Sequence, residues 1–465
     1  MNWKQFASNL QVPKMNSKLL EILKKLALTV KKTIDEGISN GSIQPQDEPY
    51  FRWKVERFQY TDKGITEHSA RGEYFTKKSW VRAIINLEES LKHCSEYASA
   101  LEHLANVFGK SDRLSSILDN FVRKLIHQHL YDLKTKETDI NSVIATFLKD
   151  LREEPVKYGA RVEVQGVVLH PDKIEPSFGI TLRQTKIEDL EREVPVYSFT
   201  PRRSLPDPSA IMNIEFLGRG PAEIRKNVEK AITILRLFKV GSVVWTTYHM
   251  YSESIMGFGT LTSGRRTTAL ETYLVTQEDI QKLKNFWETM SDSIPTSFFD
   301  MGVTKTDYLT IAYKRYSDAL LENGLIERRI ANAVMGLEAV FLKTGEIQEL
   351  PYRLGLRISK LFGSLEHNPH EVKRVINDSY KVRNLFAHGG QLGNKRKKRL
   401  ESKYKDVKNL LLSVLDYLRI SIIVTILSKK EKGKFIDLVD DSLIDAKSEK
   451  QLNCVVSQAK GVIAS

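Results

Sequence analysis

The spacing of apolar residues changes character twice along this 465-residue chain, and those changes limit its folds more tightly than composition does. Up to about residue 151, apolar side chains recur every three or four positions, the spacing that lays one stripe along a helix. Glu153-Glu154-Pro155 breaks that run, and short alternating segments divided by Pro and Gly follow, as in strands. Beyond a stretch at 291–304 that holds Pro295 and Gly302, the three-to-four spacing returns. The expected fold class is therefore multidomain α+β. A mostly helical region over 1–152 precedes a central β-rich domain over 153–300, an all-α bundle over 305–430 and a C-terminal extension over 431–465. A chain of this length exceeds one ordinary core, which agrees with such a division.

Within the first region, Leu19, Leu23, Leu26, Val30 and Ile34 form one stripe, and Lys24, Lys25, Lys31 and Lys32 lie opposite. Such a basic amphipathic helix packs into a core more often than it lies on a membrane surface. Residues 37–49 read as a loop. Residues 51–60 alternate aromatic and charged side chains, the mark of a half-buried strand, although the same interleaving could stack on single-stranded nucleic acid. Three or four helices follow over 78–151, with joints at 109–111 and 134–138. Strands are expected within 161–170, 178–187, 194–199, 211–217, 243–251 and 270–276. One helix interrupts them, with Pro221 in its first turn and Ile224, Val228, Ala231, Ile232, Leu235 and Phe238 inward. The loop 257–266, with Arg265 and Arg266, lacks the lysine and spacing of a P-loop; it reads first as a hairpin or loop and second as a phosphate contact. A helix then starts at Thr276-Gln277-Glu278-Asp279 and runs to Met290.

Charge narrows the partners. A net charge of +13 and a pI near 9.3 favour polyanions, which gain from counterion release. Cys94 and Cys454 are too few for a disulfide framework or a four-cysteine zinc site. The longest aliphatic stretches read as interrupted by Lys or Arg and short of a membrane span, so no stable membrane insertion and a cytoplasmic protein are expected. Arg123 and His129 stand six apart, a pair that ten histidines produce by chance. His127 and His129 point to different helix faces, which argues against a metal pair.

The C-terminal region reads as helices over 308–323, 325–343, 350–362, 370–386 and 403–427. Glu338 lies at the edge of an inward row, so it requires a cation, and Arg353, Arg357 and Arg383 are the candidates. The fourth helix ends in Tyr380-Lys381-Val382-Arg383-Asn384-Leu385-Phe386-Ala387-His388-Gly389-Gly390. On an unbroken helix Arg383 and His388 would point about 140° apart and sit about 7.5 Å apart along the axis. Either the glycine pair ends the helix beside His388, or a second subunit completes the site. Tyr380, Asn384 and His388 share a face. Downstream, Lys395, Arg396, Lys397, Lys398 and Arg399 place five cations in five positions, a run suited to an RNA backbone.

These residues resemble a HEPN domain of the ApeA-like type over roughly 308–427. The marks are Glu338 within Gly336-Leu337-Glu338-Ala339, then Arg383 followed by a polar residue and, four residues on, by His388. The resemblance implies metal-independent cleavage of RNA by a homodimer or higher homo-oligomer, with no cofactor. It implies an effector of a prokaryotic phage-defence or toxin-like system, whose preceding residues sense or restrain. Arg383, Asn384 and His388 would be catalytic, with Glu338 and Tyr380 in support. An imidazole suits proton transfer at the 2′-hydroxyl or the leaving 5′-oxygen, and a guanidinium suits a charged pentacoordinate phosphate. The alternative is a non-catalytic module for nucleotide or RNA binding or for dimerisation, with a ligand-sensing middle domain.

Overall fold

The computed structural model describes residues 17–131, 140–196, 207–220, 222–255, 259–262, 271–300 and 307–463. The first apolar stripe forms α1 (Ser17–Ser39), which buries Leu19, Leu23, Leu26, Val30 and Ile34. A hairpin follows, β1 (Gln46–Thr61) and β2 (Gly64–Ser79), with 16 residues in each antiparallel strand. The expected strand at 51–60 is therefore the middle of a longer one, and the loop at 37–49 ends at Gln46. β2 escaped the sequence reading because both faces of the hairpin are largely in water, so its residues lack an apolar alternation. Helices α2 (Val81–Lys92), α3 (Ser95–Phe108), α4 (Asp112–Tyr131) and α5 (Ile140–Leu151) pack with α1 around their own cluster, centred on Leu23, Leu104, Phe121 and Phe147. Gly109 lies at the expected joint between α3 and α4, whereas 134–138 falls outside the described residues.

The middle of the chain supplies β3 (Val156–Gln165), β4 (Val167–Leu169), β5 (Lys173–Ser177), β6 (Ile180–Gln184), α6 (Ile187–Leu190), β7 (Arg192–Pro195), β8 (Ala210–Gly218), α7 (Ala222–Phe238), β9 (Val244–Ser252), β10 (Gly259–Thr262) and β11 (Tyr273–Val275). Six strands form an antiparallel sheet in the order β10-β9-β3-β8-β6-β5, while β11 pairs with β4 in parallel. β5 has no counterpart among the expected strands. Gly259–Thr262 is the hairpin half of the glycine-rich loop; its Arg265 and Arg266, like Pro221 and 197–199, lie outside the described residues. β7 joins the edge of β1. At the hairpin tip, the Tyr60 hydroxyl donates to the Ser209 carbonyl at 2.8 Å and accepts from the Leu169 N–H at 3.2 Å. His68 pairs with Asp207 at 2.6 Å.

After α8 (Asp279–Ser291), the C-terminal helices are α9 (Tyr308–Leu321), α10 (Ile326–Phe341), α11 (Leu350–Ser364), α12 (Pro369–Ala387), α13 (Asn394–Tyr404), α14 (Val407–Ser428), α15 (Lys432–Asp441) and α16 (Ala446–Lys460). The helix expected over 403–427 is divided, because Lys405 takes a left-handed φ of 65° and Asp406 caps α14 by accepting from the Lys408 N–H. Gly336 lets α10 lie against α14; a Cβ there would meet Leu418 at 2.5 Å. α14 also corrects the reading of the aliphatic stretches. It spans 22 residues with a mean hydropathy of 2.1 over its most apolar window, long and apolar enough to cross a bilayer, yet 78% of that window is buried inside the protein as the bundle's central helix.

The sheet and the bundle share one buried cluster that continues from Val156 to Val462, with Ile294 and Phe299 of the 291–304 stretch inside it. The C-terminus of α7 shows how closely they join. Its last four carbonyls accept from the Tyr273 hydroxyl, the Tyr316 hydroxyl and, for Leu237 and Phe238, the Arg419 guanidinium, at 2.7–2.9 Å. Groups that a helix end normally leaves to water are thus satisfied within the core.

Candidate active site

α12 starts where Asn368 accepts from the N–H groups of His370 and Glu371 and Pro369 occupies the first turn. It ends at the glycine pair. His388 is the capping residue, Gly389 has a left-handed φ of 75°, the Gly389 N–H donates to the Phe386 carbonyl and the Gly390 N–H to the Leu385 carbonyl, both at 2.9 Å. This double closure is a Schellman motif. Gly390 also needs to be small, since a Cβ would meet Leu385 at 2.5 Å. His388 keeps the helical bond from its N–H to the Asn384 carbonyl, at 3.1 Å, and stands exposed where the helix ends.

Arg383 is held from three sides. Its Nη2 donates to Glu338 Oε2 at 3.1 Å, its Nη1 to Asn384 Oδ1 at 3.2 Å, and its guanidinium lies 5.5 Å from the centre of the Tyr380 ring. Of the three arginines open to Glu338, this is the one that pairs. Arg353 and Arg357 go to Glu346, and Arg357 also to Asp440. The pair is only partly hydrated, with the Glu338 side chain 16% exposed and that of Arg383 28%. Glu338 Oε1 and Arg383 Nε are buried without partners, which leaves each side chain one unused polar atom. Burial, reinforced by the Glu338 carboxylate, pushes the Tyr380 phenol up.

Beside this pair lies a groove of about 530 Å³ between α12 and α13, lined by Asp378, Asn384, His388, Arg396, Arg399 and Lys403, with Leu385 and Leu400 as apolar floor. The five-cation run divides here. Arg396 and Arg399, three apart on α13, face the groove, whereas Lys395, Lys397 and Lys398 are exposed elsewhere. Arg383 is not among the lining residues either. Asn384 connects the two arrangements, since its Oδ1 accepts from Arg383 while the residue itself lines the groove.

Asp378 is the charged groove residue that the sequence reading passed over, whereas Lys403 continues the basic run that it did single out. Asp378 is buried and accepts from Lys403 at 2.7 Å, the Tyr404 hydroxyl at 3.1 Å and Lys381 at 3.3 Å. Burial alone would raise its carboxyl, but the lysine contacts outweigh it and hold the group below its ordinary value. The Asp378–Lys381 spacing is visible in the sequence; the reach of Lys403 from another helix is not. At the far rim, the Leu392 N–H donates to Glu327 Oε1 at 3.1 Å, which fixes the chain just after the glycines.

The groove therefore offers an exposed imidazole, an amide and four cations, two of them, Lys381 and Lys403, paired with Asp378, a set able to bind a phosphodiester and move a proton beside it. Among the described residues, no three His, Cys, Asp or Glu side chains gather as metal ligands. Comparison with protein-family models, with curated proteins and with solved structures finds no match to this chain.

Proposed function

We propose that the chain is an endoribonuclease of the HEPN type, acting without a metal ion on the 2′-hydroxyl side of a phosphodiester. The observation that carries this reading is the exposed His388, at the Schellman turn that ends α12, lining a groove whose other wall presents Arg396 and Arg399. His388 takes the proton from the 2′-hydroxyl, the 2′-oxygen bonds to phosphorus, and the bond to the 5′-oxygen breaks as that oxygen receives a proton. The products are a 2′,3′-cyclic phosphate and a 5′-hydroxyl end. Asn384 orients the imidazole or holds the phosphate, and Arg396 and Arg399 hold the flanking backbone.

Arg383 would stabilise the charged phosphorane. In one chain it faces Glu338 and does not line the groove, so the reading calls for a second copy of the motif, as the HEPN resemblance implies. The same resemblance gives the biological setting, an effector that degrades RNA in phage defence or in a toxin-like system. Purified protein should cut total RNA equally with and without EDTA and leave 2′,3′-cyclic phosphate ends. His388→Ala and Arg383→Ala should each slow cleavage by about 100-fold or more; undiminished cutting by either variant overturns the assignment.

The separation of Arg383 from the groove also favours a second reading, a non-catalytic RNA-binding or dimerisation module. In that case the wild-type protein retains RNA without cutting it, and His388→Ala leaves its biological activity unchanged.

A further inference from the structure

A second and larger groove, of about 1040 Å³, lies in the N-terminal region between α4 and α5. Its long wall is the polar face of α4, where Arg123, His127 and Tyr131 follow one another at four-residue steps and Lys124 stands three residues before His127. α5 contributes Lys149 opposite, and Glu253, just beyond β9, adds one carboxylate. The pair that first drew notice for its spacing has a structural explanation here: Arg123 is clamped by Glu88 at 2.6 and 2.8 Å, and His129 meets Asp35 at 2.9 Å. What remains unexplained is the face these residues leave behind.

That face combines two kinds of group. The rings of His127 and Tyr131 stack with centroids 5.7 Å apart and planes at 18°, and Tyr131 is 55% exposed, so a flat aromatic surface stands open. Burial lowers the His127 imidazole, against an upward pull from Glu88 and with a further push down from Arg123 and Lys124. Around it are three cations and one acid. Glu88 holds the Arg123 guanidinium in place, and Lys149 has no carboxylate partner among the described residues. Gln128, on the same wall, keeps a buried Oε1 with no hydrogen-bond partner. An aromatic platform beside cations, in a space at the upper end of ordinary small-molecule sites, matches a planar base carrying phosphates better than it matches phosphate alone.

We propose that the groove between α4 and α5 binds a nucleoside phosphate, with the base stacked on the Tyr131–His127 pair and the phosphates held by Lys149. This site does not rest on the RNA-cleavage reading, and it places a ligand in the region that precedes the groove at His388. Equilibrium dialysis of the full chain, in about 150 mM salt to suppress diffuse charge effects, would use ATP, GTP, adenosine and inorganic phosphate as probes. At least one triphosphate should bind saturably and at least tenfold more tightly than adenosine or phosphate. Lys149→Glu and Tyr131→Ala should each weaken it tenfold or more, and Tyr131→Phe, which keeps the ring, should bind like wild type. Arg396→Gln with Arg399→Gln should leave the affinity unchanged. The proposal fails if neither triphosphate binds saturably. It also fails if Tyr131→Phe binds as poorly as a folded Tyr131→Ala, or if binding is lost with Arg396 and Arg399, which would assign the nucleotide to the groove at His388.

Discussion

Glu338 and Arg383 illustrate what a single residue's position contributes. The carboxylate fixes one end of the guanidinium, Asn384 takes another N–H and the Tyr380 face lies beneath. Such restraint suits an arginine that must meet a developing charge without first being ordered. Glu338→Gln keeps the shape and removes the charge-assisted hydrogen bond, worth about 1–2 kcal/mol, so kcat for RNA should fall about tenfold while KM changes little. An unchanged kcat in steady-state cleavage would show that Glu338 serves packing alone. Much of this arrangement was legible in the sequence. A carboxylate beside an inward row demanded an arginine, and Gly389-Gly390 announced the helix end. Which of three arginines answered Glu338 was not legible, because that depends on how α10, α11 and α12 lie together. The same dependence hid the pairing of Lys403 with Asp378, which stands 25 residues earlier.

At the scale of elements, helices with a single apolar stripe were read correctly, and errors arose where packing overrode pattern. β2 carries no alternation because the hairpin has little core to face, and the division between α13 and α14 depends on the left-handed turn at Lys405, which a lysine does not advertise. α14 is the opposite case, so apolar all round that only its surroundings distinguish it from a membrane span. Ion pairs then tie elements that sequence cannot relate. Arg357 of α11 donates to Glu346 at 2.7 and 2.8 Å and to Asp440 of α15 at 2.7 Å. The Arg357 contact holds the Glu346 carboxyl down at about 2, against an ordinary 4.5. A folded-state value below the unfolded one stabilises fully above about pH 4.5, and that contribution is lost as the pH falls toward 2. Glu346→Gln should therefore lower stability at pH 7 by about 2–3 kcal/mol. The gap between variant and wild type in denaturant midpoint should close between pH 4.5 and 2; a gap independent of pH would contradict the linkage.

Across the whole molecule, two hydrophobic clusters organise the chain: one in the N-terminal helices, with Ile255 reaching in from the end of β9, and one common to the sheet and the C-terminal helices. The second cluster makes the change of periodicity near residue 300 a change of secondary structure more than a break in packing. Arg419 is the residue on which that continuity can be tested. It is buried in α14, pairs with Asp416, and donates to the last two carbonyls of α7. Replacing it with methionine preserves length and apolar bulk, but leaves two carbonyls unpaired and Asp416 without its cation, at a cost of about 3–5 kcal/mol. Because the carbonyls belong to α7 and the arginine to α14, the loss should not stay on one side. Hydrogen exchange should show amide protection in α7 and α14 falling together in Arg419→Met, by the same free energy, while α4 and α5 keep theirs. If α14 stays protected while α7 opens, the sheet and bundle unfold separately, and a signal from the N-terminal region would have to cross a looser joint to reach His388.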